Sequence, residues 1–225
     1  MKRTKLKDRV LPNYTKGEEI INMVTHIIGG VIGIIALILC LIFSIVNHNG
    51  YAIAGSLVFG LSMIILYTIS SVYHGLSPKI ATAKKIFQIL DHCTIFILIA
   101  GTYTPVLLCS VRIYNSTLAW VLFAIIWVMT AIGIILNSID LNKFKIFSMI
   151  CYLAMGWCII FTSTDLVKII GKPATLLLVF GGISYTVGAI FYMFGKKVKY
   201  FHSIFHVFVD IGSLLHFLCI LLYII

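Results

Sequence analysis

The sequence predicts an all-α membrane protein, a seven-transmembrane helix bundle with its N-terminus in the cytoplasm and its C-terminus outside. Three observations carry this. Of 225 residues, 61% are hydrophobic and only 11% are charged, too little polar surface for a soluble domain. Seven apolar runs, at about 20–46, 51–74, 86–109, 117–137, 145–163, 174–194 and 201–225, each reach the ~20 residues of a helical span. Their continuity and interior glycines favour helices over the alternating strands of a barrel. The third observation is sidedness: 14 of the 17 basic residues precede the first run or follow the second, fourth and sixth, leaving Arg112, Lys168 and Lys172 on the other side. That is the positive-inside pattern. The net charge of +10 therefore points to anionic lipid headgroups at the cytoplasmic face and not to nucleic acid. The localisation that follows is the cell membrane.

Two segments result: a basic cytoplasmic tail, 1–17, expected to be mobile, and a transmembrane domain, 18–225. The first helix opens with Glu18, Glu19, Asn22, Thr25 and His26. Glu18, Asn22 and His26 share a stripe at i, i+4, i+8. It reads as acids complementing the helix dipole followed by an interhelical hydrogen bond, or as support for a site on that side. Gly29 and Gly33 form a GxxxG packing signal. The run is too long for a signal-peptide core, and no small-x-small cleavage site follows it.

The second helix ends Ser70-Ser71-Val72-Tyr73-His74, with Ser70 one turn deeper than His74 on the same face. The third carries Asp91 and His92 near the same membrane face, then Gly101-Thr102-Tyr103-Thr104-Pro105, where a kink is expected. A membrane-embedded aspartate needs a cation, a metal or a donor, which makes Asp91 a site candidate; His92 points elsewhere and reads as packing. The fourth helix, with Trp120 and Trp127, shows no chemistry. The fifth (Tyr152, Met155, Gly156, Trp157) and sixth (Ser184-xxx-Gly188) read as packing surfaces. The six cysteines lie in apolar runs without a CxxC and read as buried hydrophobes. We detect no internal repeat, which argues against a secondary transporter.

The seventh helix organises the chain. His206, Ser213 and His216 each fall within about 40° of His202 at 100° per residue, with Asp210 at the edge of the stripe. His202 and His206, at i and i+4, point to one location, as two ligands of one metal would; the alternative is a polar packing stripe. His74 falls at the same depth, since helix two runs inward and helix seven outward.

Ser70-xxx-His74, Asp91 17 residues later, Gly101-Thr102-Tyr103-Thr104-Pro105 and His202-xxx-His206 together resemble the haemolysin III family, whose wider group includes the progestin and adipoQ receptors. The resemblance spans Glu18 to His216. It implies a zinc ion held by His74, His202 and His206, with Asp91 and Ser70 beside it as catalytic groups. Glu18, Asn22, His26, Asp210 and His216 remain as supporting or cavity residues. Asp210 departs from the pattern, standing where the family has an apolar residue. Three neutral imidazoles with an open fourth position match catalytic zinc sites. Similarity of the group to alkaline ceramidases implies hydrolysis of a membrane-lipid amide or ester. The other readings are a zinc-tied non-catalytic sensor or membrane-homeostasis protein, a cytolytic pore former after the family's name, and an ion or proton pathway along the stripe to His216.

Overall fold

The computed structural model describes residues 3–162, 165–195 and 197–225; Lys2 and Lys196 of the basic set lie outside them. The described residues form helices α1 (Lys16–Val46), α2 (Gly50–Gly75), α3 (Ala81–Val106), α4 (Ser116–Thr162), α5 (Leu166–Ile170), α6 (Lys172–Phe194) and α7 (Phe201–Cys219), joined by short turns. Six of these segments are long and apolar enough to cross a membrane. Their outer faces carry large apolar side chains such as Ile27, Ile34, Ile38, Ile125 and Ile190, all at least 40% exposed. In water these would be costly; against acyl chains they are not. The chain is a multi-pass integral membrane protein.

The sequence predicts seven spans, and the difference lies in α4. At 47 residues it is about twice the length needed to cross a bilayer. Asp140 interrupts it with extended backbone (φ −160°, ψ 92°), and hydrogen bonds show the chain doubling back there. Ser148 Oγ donates to Asn137 Oδ1 at 2.6 Å, and Asn137 Nδ2 donates to Tyr152 Oη at 3.3 Å. On one straight helix, residues 137 and 152 would stand about 22 Å apart. The arms are thus folded on each other, roughly where 117–137 and 145–163 were expected.

α1 packs on α2 and α7, α2 on α3, α3 on α4, and α6 on α7. Gly29 and Gly33 let α1 and α2 meet closely: a Cβ on Gly29 would lie 2.4 Å from the Tyr67 ring, and one on Gly33 would lie 3.0 Å from Met63. α3 is the most enclosed span, with Phe96, Ala100, Thr104 and Val106 buried. Pro105 sits within it, and the chain continues through a widened π turn, Leu107–Val111. Gly55 of α2 admits the proline, since a Cβ there would fall 2.8 Å from Pro105 Cα.

From Arg3 onward the N-terminal segment lies against the bundle through several hydrogen bonds. Arg3 Nε donates to Ile139 O, Thr4 N to Asp140 Oδ2, Lys85 Nζ to Lys7 O, and Arg9 Nη2 to Gln88 Oε1. Arg9 is only 6% exposed. The segment is a strap across one end of the bundle: its donors find a carbonyl, a carboxylate and a side-chain amide oxygen on α3 and the α4 bend, and Lys85 of α3 donates back to its Lys7 carbonyl.

Candidate metal centre

Three helix ends meet beneath that strap. α1 begins with a capping box: Glu18 N donates to Thr15 Oγ1, and Thr15 N donates back to Glu18 Oε2. The other Glu18 oxygen accepts the amide of Tyr200 at 2.8 Å. Tyr200 holds a left-handed conformation (φ 64°), unfavourable for a residue with a Cβ. Glu18 therefore anchors the turn that sets the start of α7, two residues before His202, and does not reach the histidines.

His74 from the end of α2 and His202 and His206 from the start of α7 are buried, and their ligand-capable atoms lie within 4.8 Å of one another. Ring centroids are 5.3 Å apart for His74–His202, 4.9 Å for His74–His206 and 4.7 Å for His202–His206. Second partners orient the rings. Glu19 Oε2 is 2.6 Å from His74 Nδ1; a carboxylate only accepts, so Nδ1 carries the proton and Nε2 keeps its lone pair. His206 Nδ1 donates to Asn22 O at 3.1 Å, leaving the lone pair of its Nε2 facing His202 Nε2. Asn22 Oδ1 in turn accepts from Ser203 Oγ at 2.5 Å, tying α1 to α7.

Among the described residues, His74 Nε2 and Ser70 Oγ are buried polar atoms with no hydrogen-bond partner. Leaving such atoms unpaired in an apolar interior is costly. A tetrahedral zinc ion with ~2.0–2.1 Å bonds holds nitrogen ligands about 3.3 Å apart, and Nε2 of His202 and of His206 are 3.2 Å apart. Donor type, spacing and the bare Nε2 of His74 all suit a metal ion, with backing hydrogen bonds of the kind that orient histidine ligands.

Ser70, Asp91 and His206 line one cavity of about 140 Å³ that runs among α2, α3, α4, α6 and α7. Its walls are mostly apolar, including Ile95, Leu98, Leu153 and Val209, and His216 lines it as well. His216 donates from Nε2 to Leu178 O at 3.1 Å, its ring seated against Gly181, where a Cβ would come within 2.3 Å. Ten residues past His206, about 15 Å along the helix, it stands well away from the triad. His26 stacks on His206 at 3.6 Å, edge-on to Tyr67 at 5.1 Å, and both its ring nitrogens lack partners. Asp210 turns instead toward α1: a Cβ on Gly29 would lie 2.6 Å from its Oδ1.

Sequence reasoning missed four contributors. Glu19, not Glu18, backs His74; its signal was a three-residue spacing to Asn22, which touches the same ring nitrogen at 3.4 Å. Lys84 pairs with Glu19 at 2.7 Å. Tyr14 stacks on His202 (5.0 Å, 18°) and lies 6.0 Å from His74. Burial, with Tyr192, Glu19 and Asp91 nearby, raises its phenol pKa, so a neutral ring covers the triad. His92, expected to pack, bonds Gln88 O through Nδ1 and the Tyr192 hydroxyl through Nε2, each at 2.9 Å, and lines the cavity. Tyr14 lay in a segment read as a mobile basic tail, so nothing in the sequence marked it.

The chain matches known proteins along most of its length. A family profile described as haemolysin-III related matches residues 14–217, which takes in all three helix ends at the triad. The chain is 41% identical over 208 residues to hemolysin-3 of Bacillus cereus, covering 92% of each. It is 38% identical over 210 residues to a hemolysin-3 homolog of Bacillus subtilis (strain 168), covering 93% of this chain and 96% of the relative. The monocyte to macrophage differentiation factor of Homo sapiens is 28% identical over 167 residues, 72% of this chain and 67% of that protein. A matching profile over most of the chain, with relatives near 40% identity end to end, means that this membrane protein belongs to the haemolysin III family.

Proposed function

We propose that this protein is a zinc-dependent hydrolase of membrane-lipid amides or esters. The observation that carries the reading is a buried three-histidine cluster, one of whose members, His206, lines an apolar cavity together with Ser70 and Asp91. His74, His202 and His206 hold the ion. Zinc in such a site supplies water activation near neutral pH and polarisation of a carbonyl. Asp91 accepts the proton that the attacking water gives up and returns it to the leaving amine or alcohol as the acyl C–N or C–O bond breaks. Ser70 Oγ, without a partner of its own, donates to the oxygen on which charge develops. The cavity takes an acyl chain and excludes bulk water from the reacting group.

The proposal includes topology. Each arm of α4 crosses the membrane, which makes seven crossings. The end bearing Arg3, Lys85 and Lys143 faces the cytoplasm by the positive-inside rule and meets anionic headgroups there, with the C-terminus outside.

The test is fatty-acid release from defined N-acyl and ester lipids by purified protein. Asp91→Asn is expected to keep its zinc and lose activity by at least about 100-fold. Equal release by the variant, or none by the wild type across both lipid classes, overturns the reading. A second reading is favoured by the way the cluster knits α1, α2 and α7: the ion serves only as a tie. It is distinguished by a fall in melting temperature on chelation with no turnover to lose. Dye release from vesicles at low protein dose would instead support the lytic activity in the Bacillus relative's name.

A further inference from the structure

Lys84 belongs by sequence to the basic face, yet its side chain is only 2% exposed. Its polar and ring contacts among the described residues converge on His74. Nζ is 2.7 Å from Glu19 Oε1, the carboxylate whose other oxygen holds His74 Nδ1 at 2.6 Å. Nζ also donates to Leu76 O at 2.8 Å, the residue that closes the helix carrying His74. It sits 5.2 Å from the centroid of the Tyr73 ring, the neighbour of His74 on the other side.

A buried ion pair is a weak device for stability, since removing both charges from water offsets most of their attraction. An apolar pair of similar volume would hold α1 to α3 as well. What an apolar pair cannot do is fix a carboxylate in one orientation. With Oε1 committed to Lys84, Glu19 presents Oε2 to His74 and cannot rotate away, and the imidazole is held with Nε2 turned from the carboxylate. We propose that Lys84 is a positioning residue of the metal centre, acting through Glu19 to hold His74 in its ligand orientation. The inference rests on the metal-binding reading and extends it to a residue on a fourth helix, α3, that touches none of the three histidines' ligand atoms.

The test measures zinc affinity by competition with a chromophoric chelator, and ligand geometry from the visible spectrum of the cobalt-substituted protein. Four proteins are compared: wild type, Lys84→Met, Glu19→Gln and the double variant. Lys84→Met is expected to weaken zinc binding about 10- to 100-fold, the usual cost of losing a group that orients a ligand, and to shift the cobalt bands. In the Glu19→Gln background the same change is expected to have little further effect, because the route through Glu19 is already lost. Lys84→Gln, which can still donate to Leu76 O, stands in if Lys84→Met does not fold. Unchanged affinity for Lys84→Met, or a loss that simply adds to that of Glu19→Gln, overturns the positioning role while leaving the metal site standing. A wild-type protein that binds neither zinc nor cobalt overturns the metal reading itself, and this inference with it.

Discussion

Nε2 of His202 and Nε2 of His206 stand 3.2 Å apart on successive turns of α7. The proton of His206 is committed to the Asn22 carbonyl through Nδ1, so its Nε2 offers a lone pair to its neighbour. Such a pair, buried beside a third ring whose Nε2 has no partner among the described residues, could hold a cation. Purified protein is expected to carry about one zinc per chain. His74→Ala, His202→Ala and His206→Ala should each reduce that to near zero, since two imidazoles do not hold a structural or catalytic ion tightly. Elemental analysis beside a fold check by circular dichroism measures it.

The stack of Tyr14 on His202 closes the site on the strap side. Tyr14→Ala removes an aromatic contact worth about 0.5–1.5 kcal/mol and frees the middle of a segment pinned at Thr4, Lys7 and Arg9. Hydrogen exchange across residues 3–15 should accelerate several-fold, and a chelator should strip the metal faster than from wild type. An unchanged exchange rate in that stretch would show that the ring contributes nothing to holding the strap.

The helical spans were legible because apolar runs of this length have one solution in a bilayer. The histidine pair was legible because i, i+4 spacing is a property of one helix. His74 required only that helices two and seven run in opposite directions. What the sequence could not resolve was rotation between neighbours. Asp210 lies near the stripe of His206 on paper, yet α7 turns it toward Gly29, because the stripe is wide enough to face both α1 and the cavity. Glu18 and Glu19 are adjacent, and periodicity favoured the first; the capping box and the Tyr200 amide use it up, leaving the second for His74. The strap was invisible for another reason. Its partners, Gln88, Ile139 and Asp140, lie from 79 to 136 residues away, and no local pattern encodes them.

At Gly29, α1 meets side chains of both α2 and α7. A methyl group there would overlap both the Tyr67 ring and the Asp210 carboxylate, at 2.4 Å and 2.6 Å. Tyr67 cannot retreat freely, because its hydroxyl donates to Ser213 Oγ at 2.7 Å and its ring is fully buried. Gly29→Ala is therefore expected to destabilise the protein by about 1–3 kcal/mol, the range for overpacking a filled interior. Its melting temperature in detergent should fall by several degrees. Gly50→Ala, where a Cβ meets nothing within 4 Å, is the matched control and should melt close to wild type.

Asp140 carries the reversal of α4. Its Oδ1 accepts the amide of Lys143 at 3.2 Å, as an N-cap does for the second arm, and its Oδ2 accepts the amide of Thr4 at 2.7 Å. The bend contains no proline or glycine: residues 138–144 are Ser-Ile-Asp-Leu-Asn-Lys-Phe. A helix could thus continue through it unless something captured the amides of the next turn. Asp140→Ala is expected to cost about 1–2 kcal/mol through the lost cap and to release the strap at Thr4 as well. Asp140→Asn keeps an oxygen acceptor and should recover most of the loss. Melting of the two variants in detergent measures the cap, and hydrogen exchange at residues 3–9 reads the strap. A strap that stays protected in Asp140→Ala would mean that Arg9 and Gln88 hold it without help from the bend.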